Sequence, residues 1–284
     1  MNLIVQGRDV PTPSLKQLAK LAGATAIEAI SLAAFRLVAA DDRPRTEVAA
    51  FCEANSLDCG WVPDGRRIGD FGLLVMDMDS TLITIECIDE IADMQGLKPQ
   101  VSAITEAAMR GEIDFAESLR RRVSLLAGLD QSALQRVYDE RLQLSPGAET
   151  LLATIRAAGI RTLLVSGGFT FFTERLQSRL GLDYTAANTL EVADGKLTGR
   201  VLGDIVDAQG KADWLNRVRT ELDLDRGQVI AMGDGANDLK MMAEAGISIA
   251  YRAKPVVRAQ AAYALNQVGL DGLIPLLGGN GSKG

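Results

Sequence analysis

Leu73-Leu74-Val75-Met76-Asp77-Met78-Asp79-Ser80-Thr81 is the stretch on which the reading of this chain turns. Four apolar residues followed at once by a carboxylate describe a strand buried on both faces of a parallel sheet and ending at a polar site. Further runs of this kind stand at Ile160–Val165, Val229–Met232 and Ile247–Ala250, with helical patterns between them. Solid strands alternating with helices predict a doubly wound, Rossmann-like α/β sheet. Sheets of that type bind ligands beyond the C-terminal ends of their strands.

Between Ile83 and Leu144 the strand signal disappears. Helical segments follow one another there, stopped by Gly96, Gly111 and Gly128, with Asp114 (before Glu117) and Asp130 (before Ser132) as N-terminal caps. A helical cap over the site is therefore expected at about residues 83–145. Thr189–Val192 and Lys196–Val201, around Ala193-Asp194-Gly195, predict a β-hairpin. Gly278–Gly284 reads as a frayed, glycine-rich tail.

Upstream, the order is strand Asn2–Val5, helix Ser14–Leu21, the apolar run Ala24–Val38 read as two strands with a helix as the alternative, helix Thr46–Asn55 and strand Leu57–Val62. That β-α-β-β-α-β order predicts a small ferredoxin-like α+β domain over residues 1–67, with the turn-rich Pro63–Arg67 as its linker. Residues 68–284 form the second domain.

Composition narrows the chemistry. The 284 residues contain no histidine, which removes Ser-His-Asp and Cys-His machinery and imidazole metal sites. Acid–base work falls to carboxylates, lysine or tyrosine, and any metal must sit among oxygens, which favours Mg²⁺ or Ca²⁺ over zinc. Cys52, Cys59 and Cys87 form no paired framework and read as reduced thiols. The net charge of −7 offers no basic stripe for nucleic acid, and no run of about 20 apolar residues suits a membrane span. MNLIVQGRDVPTPS at the N-terminus lacks the basic and apolar regions of a signal peptide, so a cytoplasmic location is expected.

Four constellations carry chemistry. Asp77 and Asp79, at i and i+2 on an extended chain, point the same way, and their mutual repulsion calls for a cation or a shared proton. Gly233-Asp234-Gly235-Ala236-Asn237-Asp238 follows another buried strand, with Asp234 as a hard oxygen ligand and Asn237 and Asp238 able to orient neighbours. Ser166-Gly167-Gly168 offers a hydroxyl and backbone N–H groups to a phosphate. Lys211 is a candidate phosphate clamp. Taken singly, each is also what a solvated turn or an ordinary surface lysine looks like.

Together, in this chain order, they resemble the haloacid dehalogenase superfamily, and within it the family of bacterial phosphoserine phosphatases. The resemblance runs from about Phe71 to about Gly269 and rests on DMDSTLITIECIDEIA (77–92), DFAESLRRRVSLL (114–126), LLVSGGFTFF (163–172) and MGDGANDLKM (232–241). It implies hydrolysis of O-phosphoserine, the last step of serine biosynthesis, through an aspartyl phosphate on Asp77. Asp79 would be the general acid and base. Mg²⁺ would be held by Asp77, the backbone carbonyl of Asp79, and Asp234. Ser166, Gly167 and Lys211 would hold the phosphoryl group, while Glu86, Arg122 and Asn237 would position the substrate. Met109 and Phe115 would line the pocket.

The N-terminal unit resembles ACT-type amino-acid-sensing domains in element order alone. Effector binding, dimerisation into a homodimer and simple packing stay open for it. Transfer of the phosphoryl to an acceptor other than water also stays open. A decayed, non-catalytic α/β domain is opposed by the intact Asp77, Asp79, Lys211 and Asp234.

Overall fold

The computed structural model describes residues 1–278, without the side chain of Met109. The tail read beyond Gly278 and the pocket-lining part expected of the Met109 side chain lie outside the described residues.

The first unit contains β1 (Asn2–Gln6), α1 (Thr12–Leu21), β2 (Ala26–Ala29), β3 (Ala34–Val38), α2 (Arg45–Ala54) and β4 (Asp58–Val62). Its antiparallel sheet has the order β2-β3-β1-β4, the ferredoxin-like arrangement. Alternation along the strands sends Leu3, Val5 and Leu37 toward Leu15, Leu18 and Val48 of the two helices. Ile4 and Val62 instead join the core of the larger unit. Asp58, nearly buried, accepts backbone N–H groups of Asn266 (2.9 Å), Gln267 (2.8 Å) and Val268 (3.2 Å), and the Tyr263 hydroxyl donates to Trp61 O at 2.8 Å. Apolar contact and hydrogen bonds thus seat the small unit on the large one.

The larger unit begins with β5 (Leu73–Met76), continues through the helical insertion α3 (Cys87–Asp93), α4 (Lys98–Met109), α5 (Phe115–Ser124) and α6 (Ser132–Glu140), and returns through α7 (Ala148–Ala157). It then runs β6 (Arg161–Phe169), α8 (Thr170–Leu180), β7 (Tyr184–Ala193), β8 (Lys196–Leu202), α9 (Ala208–Glu221), β9 (Val229–Gly233), α10 (Leu239–Ala243) and β10 (Ile247–Tyr251). The short α11 (Pro255–Arg258), β11 (Tyr263–Leu265) and α12 (Leu273–Leu276) close it. The seven strands lie in the order β11-β10-β9-β5-β6-β7-β8, all pairs parallel except β7–β8. The chain winds one way from β5 through β6 and β7, then crosses back through β9, so β5 stands at the topological switch.

Period-two alternation explains the layers. Leu74, Met76, Leu164, Ile230 and Met232 face one buried cluster, while Leu73, Val75, Leu163, Val165 and Val229 face the other. The four strands read from solid apolar runs are the central ones. Two strand features were not expected: β7 begins at Tyr184, well before the hairpin arm, and β11 completes the edge beside β10.

The insertion is helical, as its pattern predicts. Its root is pinched where Ile83 pairs with Leu144 and Ser145 N–H donates to Leu82 O at 2.9 Å. Asp114 Oδ1 accepts the Glu117 N–H at 2.7 Å, a cap that starts α5, and Asp130 Oδ1 accepts the Ser132 N–H at 2.9 Å before α6. Between α4 and α5 the chain passes Gly111 at φ 75°, a left-handed step that favours glycine.

Candidate active site

Three adjacent strands deliver the expected residues to one place. A cavity of about 480 Å³ at the C-terminal ends of β5, β6 and β9 is lined by Asp77, Asp79, Ser166, Gly167, Asp234 and Asn237, and by Glu86, Phe115 and Arg122 from the insertion. Lys211, on the first turn of α9, reaches this floor from below. Every site residue named from the sequence is therefore placed here, apart from Met109.

Asp77 is 5% exposed and closes β5 in an extended conformation. Its Oδ1 accepts the Met78 N–H at 2.8 Å and faces Lys211 Nζ at 2.7 Å. Among the described residues its Oδ2 accepts no hydrogen bond. The simple extended-chain picture of Asp77 and Asp79 needs amending, however. The backbone turns through one wide helical turn over Met78–Leu82, with Asp79 itself extended (φ −63°, ψ 136°) and Ser80 left-handed at φ 55°. Asp79 nevertheless lines the same cavity: Oδ1 accepts the Cys87 N–H at 3.0 Å, and Oδ2 lies 3.4 Å from Ser166 Oγ. Ser80 Oγ donates to Glu86 Oε1 at 2.7 Å.

The glycines of the Ser166 loop are needed for close approach. A Cβ on Gly168 would stand 2.7 Å from Asp79 Oδ2, and one on Gly167 2.8 Å from the Phe115 ring. The first would push away the proposed acid, the second the insertion.

Charge is concentrated and buried. Carboxylate oxygens of Asp77, Asp234 and Asp238 lie within 4.8 Å of one another. Lys211, 1% exposed, pairs with Asp77 and with Asp238 Oδ1, both at 2.7 Å. Burial opposes the Lys211 charge, but the carboxylates of Asp238 and Asp77 outweigh it and raise the ammonium above its ordinary value. Burial, then the Asp238 charge, push Asp77 well above the usual carboxylate range, with Lys211 pulling it back. Asp234 is pushed up to about 6 by burial and by Asp238. Three carboxylates against one ammonium leave two negative charges, the deficit a divalent cation fills, and an all-oxygen set suits a hard one.

Burial holds Asp79 above the usual carboxylate range, in the direction a general acid needs, and the Cys87 N–H opposes it. Glu86 is exposed toward the cavity and packed about by the residues that line it. Burial, then the Asp79 charge, push it up to about 7. Arg122 has no carboxylate within 4.0 Å among the described residues; its Nε reaches only Ser118 O on its own helix, at 3.4 Å. Burial lowers its pKa from the ordinary value, against the charges of Asp89, Glu86 and Asp79.

Asp238, read from the sequence only as able to orient neighbours, is the partner of Lys211. Fully buried, it bonds Lys211 and accepts the Gly235 N–H at 3.0 Å. Its place within the 233–238 motif is the signal that marks it. Thr81, whose hydroxyl donates to Asp234 Oδ1 at 3.3 Å, and the cavity-lining Asp89 and Lys254 were not singled out.

Residues 74–243 match the family model of haloacid dehalogenase-like hydrolases, and residues 3–48 match a domain of unknown function. A phosphoserine phosphatase of Polaromonas sp. is 55% identical over 216 residues, covering 74% of this chain and 92% of that protein. The crystal structure of a probable phosphoserine phosphatase from Vibrio cholerae, in unliganded form, is 40% identical with a TM-score of 0.86, over 98% of this chain and 86% of the other. A substrate-bound phosphoserine phosphatase complex structure is 36% identical with a TM-score of 0.68, over 72% of this chain and 97% of the other. Buried strand-end carboxylates, a lysine locked between two of them and these relatives agree: the chain belongs to the haloacid dehalogenase-like hydrolases, and within them to the phosphoserine phosphatase family.

Proposed function

We propose that the chain hydrolyses O-phosphoserine to serine and phosphate in two steps, and that residues 68–284 carry the reaction. The observation that supports this best is the asymmetry of Asp77. One oxygen is occupied by Lys211 and the Met78 N–H while the other is unengaged among the described residues, on the floor of a cavity whose opposite wall holds Glu86 and Arg122. In the first step Asp77 Oδ2 bonds to phosphorus, the bond from phosphorus to the seryl oxygen breaks, and Asp79 gives that oxygen its proton. In the second step Asp79 takes a proton from water, the water oxygen bonds to phosphorus, and the acyl phosphate opens to restore Asp77.

Ser166, the Gly167 N–H and Lys211 hold the phosphoryl oxygens, and Asn237 borders them. Arg122 takes the substrate α-carboxylate as a fork, Glu86 takes the ammonium, and Phe115 covers the Ser166 loop. Asp77 and Asp234, with the Asp79 carbonyl, would hold Mg²⁺, and Asp238 stands beside them as the partner of Lys211. The ion supplies charge neutralisation for a phosphate dianion approaching an anionic nucleophile. Residues 1–67 contribute no side chain to the cavity, which supports reading them as a unit for packing, dimerisation or effector binding. No helix among the described residues is long and apolar enough to cross a membrane, in keeping with work in the cytoplasm on a small soluble substrate.

Phosphate release from a panel of phosphomonoesters, with Mg²⁺, with Ca²⁺ and after chelation, tests the reading. Phosphoserine should lead the panel, chelation should abolish release, and Mg²⁺ should restore it where Ca²⁺ does not. Full activity after exhaustive chelation removes the metal, and a flat panel removes phosphoserine.

A further inference from the structure

A buried asparagine outside the cavity joins two arms of the phosphate site. Asn188 lies on β7 and is 1% exposed. Its Nδ2 donates to Gly167 O at 2.8 Å and its Oδ1 accepts the Val206 N–H at 2.8 Å. The orientation of the amide is unambiguous, because a carbonyl only accepts and a backbone N–H only donates.

Each bond leads to a group that would hold phosphate. Gly167 O shares a trans peptide with the Gly168 N–H, so fixing the carbonyl on one side aims the N–H to the other. That N–H donates to Ser166 Oγ at 2.8 Å, and Ser166 Oγ lies 3.4 Å from Asp79 Oδ2. On the other arm, Val206 precedes Asp207, whose Oδ1 accepts the N–H groups of Gln209 (2.9 Å) and Gly210 (2.8 Å) and so caps the helix that carries Lys211. The local sheet explains why a side chain is needed. Pairing of β6 with β7 passes from Val165↔Ala186 to Phe169↔Asn188, four steps along β6 against two along β7. Ser166–Gly168 therefore bulges out of the regular ladder, and a side-chain amide takes up its carbonyl.

We infer that Asn188 is a positioning residue for phosphoryl transfer, setting the Ser166 hydroxyl and the start of the Lys211 helix from one buried amide. This rests on the proposed use of Ser166 and Lys211 as phosphate holders. It makes Asn188 indifferent to the part of the substrate that leaves, unlike Arg122.

The test is a double-mutant cycle of Asn188→Ala with Ser166→Ala, read as kcat/KM for phosphoserine and for p-nitrophenyl phosphate. Asn188→Ala should lower both substrates by the same factor, on the order of 10- to 100-fold, and weaken inhibition by inorganic phosphate in step. The two losses should be far from multiplicative, since one residue acts through the other. Multiplicative losses, or folded Asn188→Ala within about twofold of wild type, overturn the assignment; so does a fall in Tm with the phosphate inhibition constant unchanged. Should the variant not fold, hydrogen exchange on the wild-type protein decides. Inorganic phosphate should slow exchange of the Val206 amide, and no change there overturns the link. The arm with p-nitrophenyl phosphate stays decisive even where phosphoserine fails as the substrate.

Discussion

The floor and the cap wall of one cavity are built on different physical terms. On the floor, Asp77, Ser166, Lys211 and Asp238 are at most 5% exposed and come from separate strand ends and helices; Lys211 pairs with Asp77 and Asp238, and Ser166 is held by the Gly168 N–H and Asp79. On the wall, Phe115 and Arg122 are half-buried and Glu86 is exposed to the cavity, each on a helical insertion rooted at one pinch point. The floor is arranged before any ligand arrives. The wall has a guanidinium without a carboxylate partner among the described residues and a carboxyl held near neutrality, two groups that gain most when a zwitterion sits between them. The difference teaches that reaction and recognition should separate under mutation.

The largest expected effect breaks the floor. Asp77→Asn keeps the fold, since an amide occupies the same volume, but cannot form an acyl phosphate, so turnover should fall roughly 10⁴-fold or more on every phosphomonoester. Steady-state rates with circular dichroism on the same sample check this. Acid-quenched wild type should carry hydroxylamine-labile phosphate at Asp77, and label on a serine instead would end the floor reading.

A smaller, selective effect is expected on the wall. Arg122→Ala should cost phosphoserine about 2–5 kcal/mol in kcat/KM, the range for stranding one member of a desolvated charge pair, while p-nitrophenyl phosphate changes little. Equal proportional losses on the two substrates would defeat the clamp assignment and leave the floor untouched.

The smallest effect is a pH dependence. Glu86 titrates near 7 in the free protein, neutral below that value and ionised above it. Only the ionised form attracts an ammonium. The ratio of kcat/KM for phosphoserine to that for p-nitrophenyl phosphate should therefore rise with pH through about 7, by at most about tenfold per unit. Glu86→Gln should flatten this ratio, and a ratio that already ignores pH in the wild type would remove Glu86 from recognition.

How much of this was legible depends on burial. Leu73–Met76, Val229–Met232 and Ile247–Ala250 stood out because strands buried on both faces leave solid apolar runs. The first half of β7 did not, because Tyr184–Asn188 alternates half-buried and buried residues near the sheet's edge and reads like a loop. β11 is three residues long, too short for any periodicity. The small unit was legible as elements, but nothing along the chain singled out Asp58 within the strand read at Leu57–Val62. Its function as an acceptor for three N–H groups of segment 266–268 exists only across the seam.

By itself the sequence determined the four strands of solid apolar residues, the strand ends where chemistry sits, the helical insertion, and a chemistry without imidazole. Hydrophobic periodicity and the absence of histidine are local or global counts that need no coordinates. Only the tertiary structure decided which groups touch. The Lys211–Asp238 pair spans 27 residues and the Asn188–Gly167 bond 21, and nothing along the chain says that these groups meet. Each pairing is enforced because a buried charge or carbonyl without a partner costs too much to keep, and that cost appears only when folding removes the water.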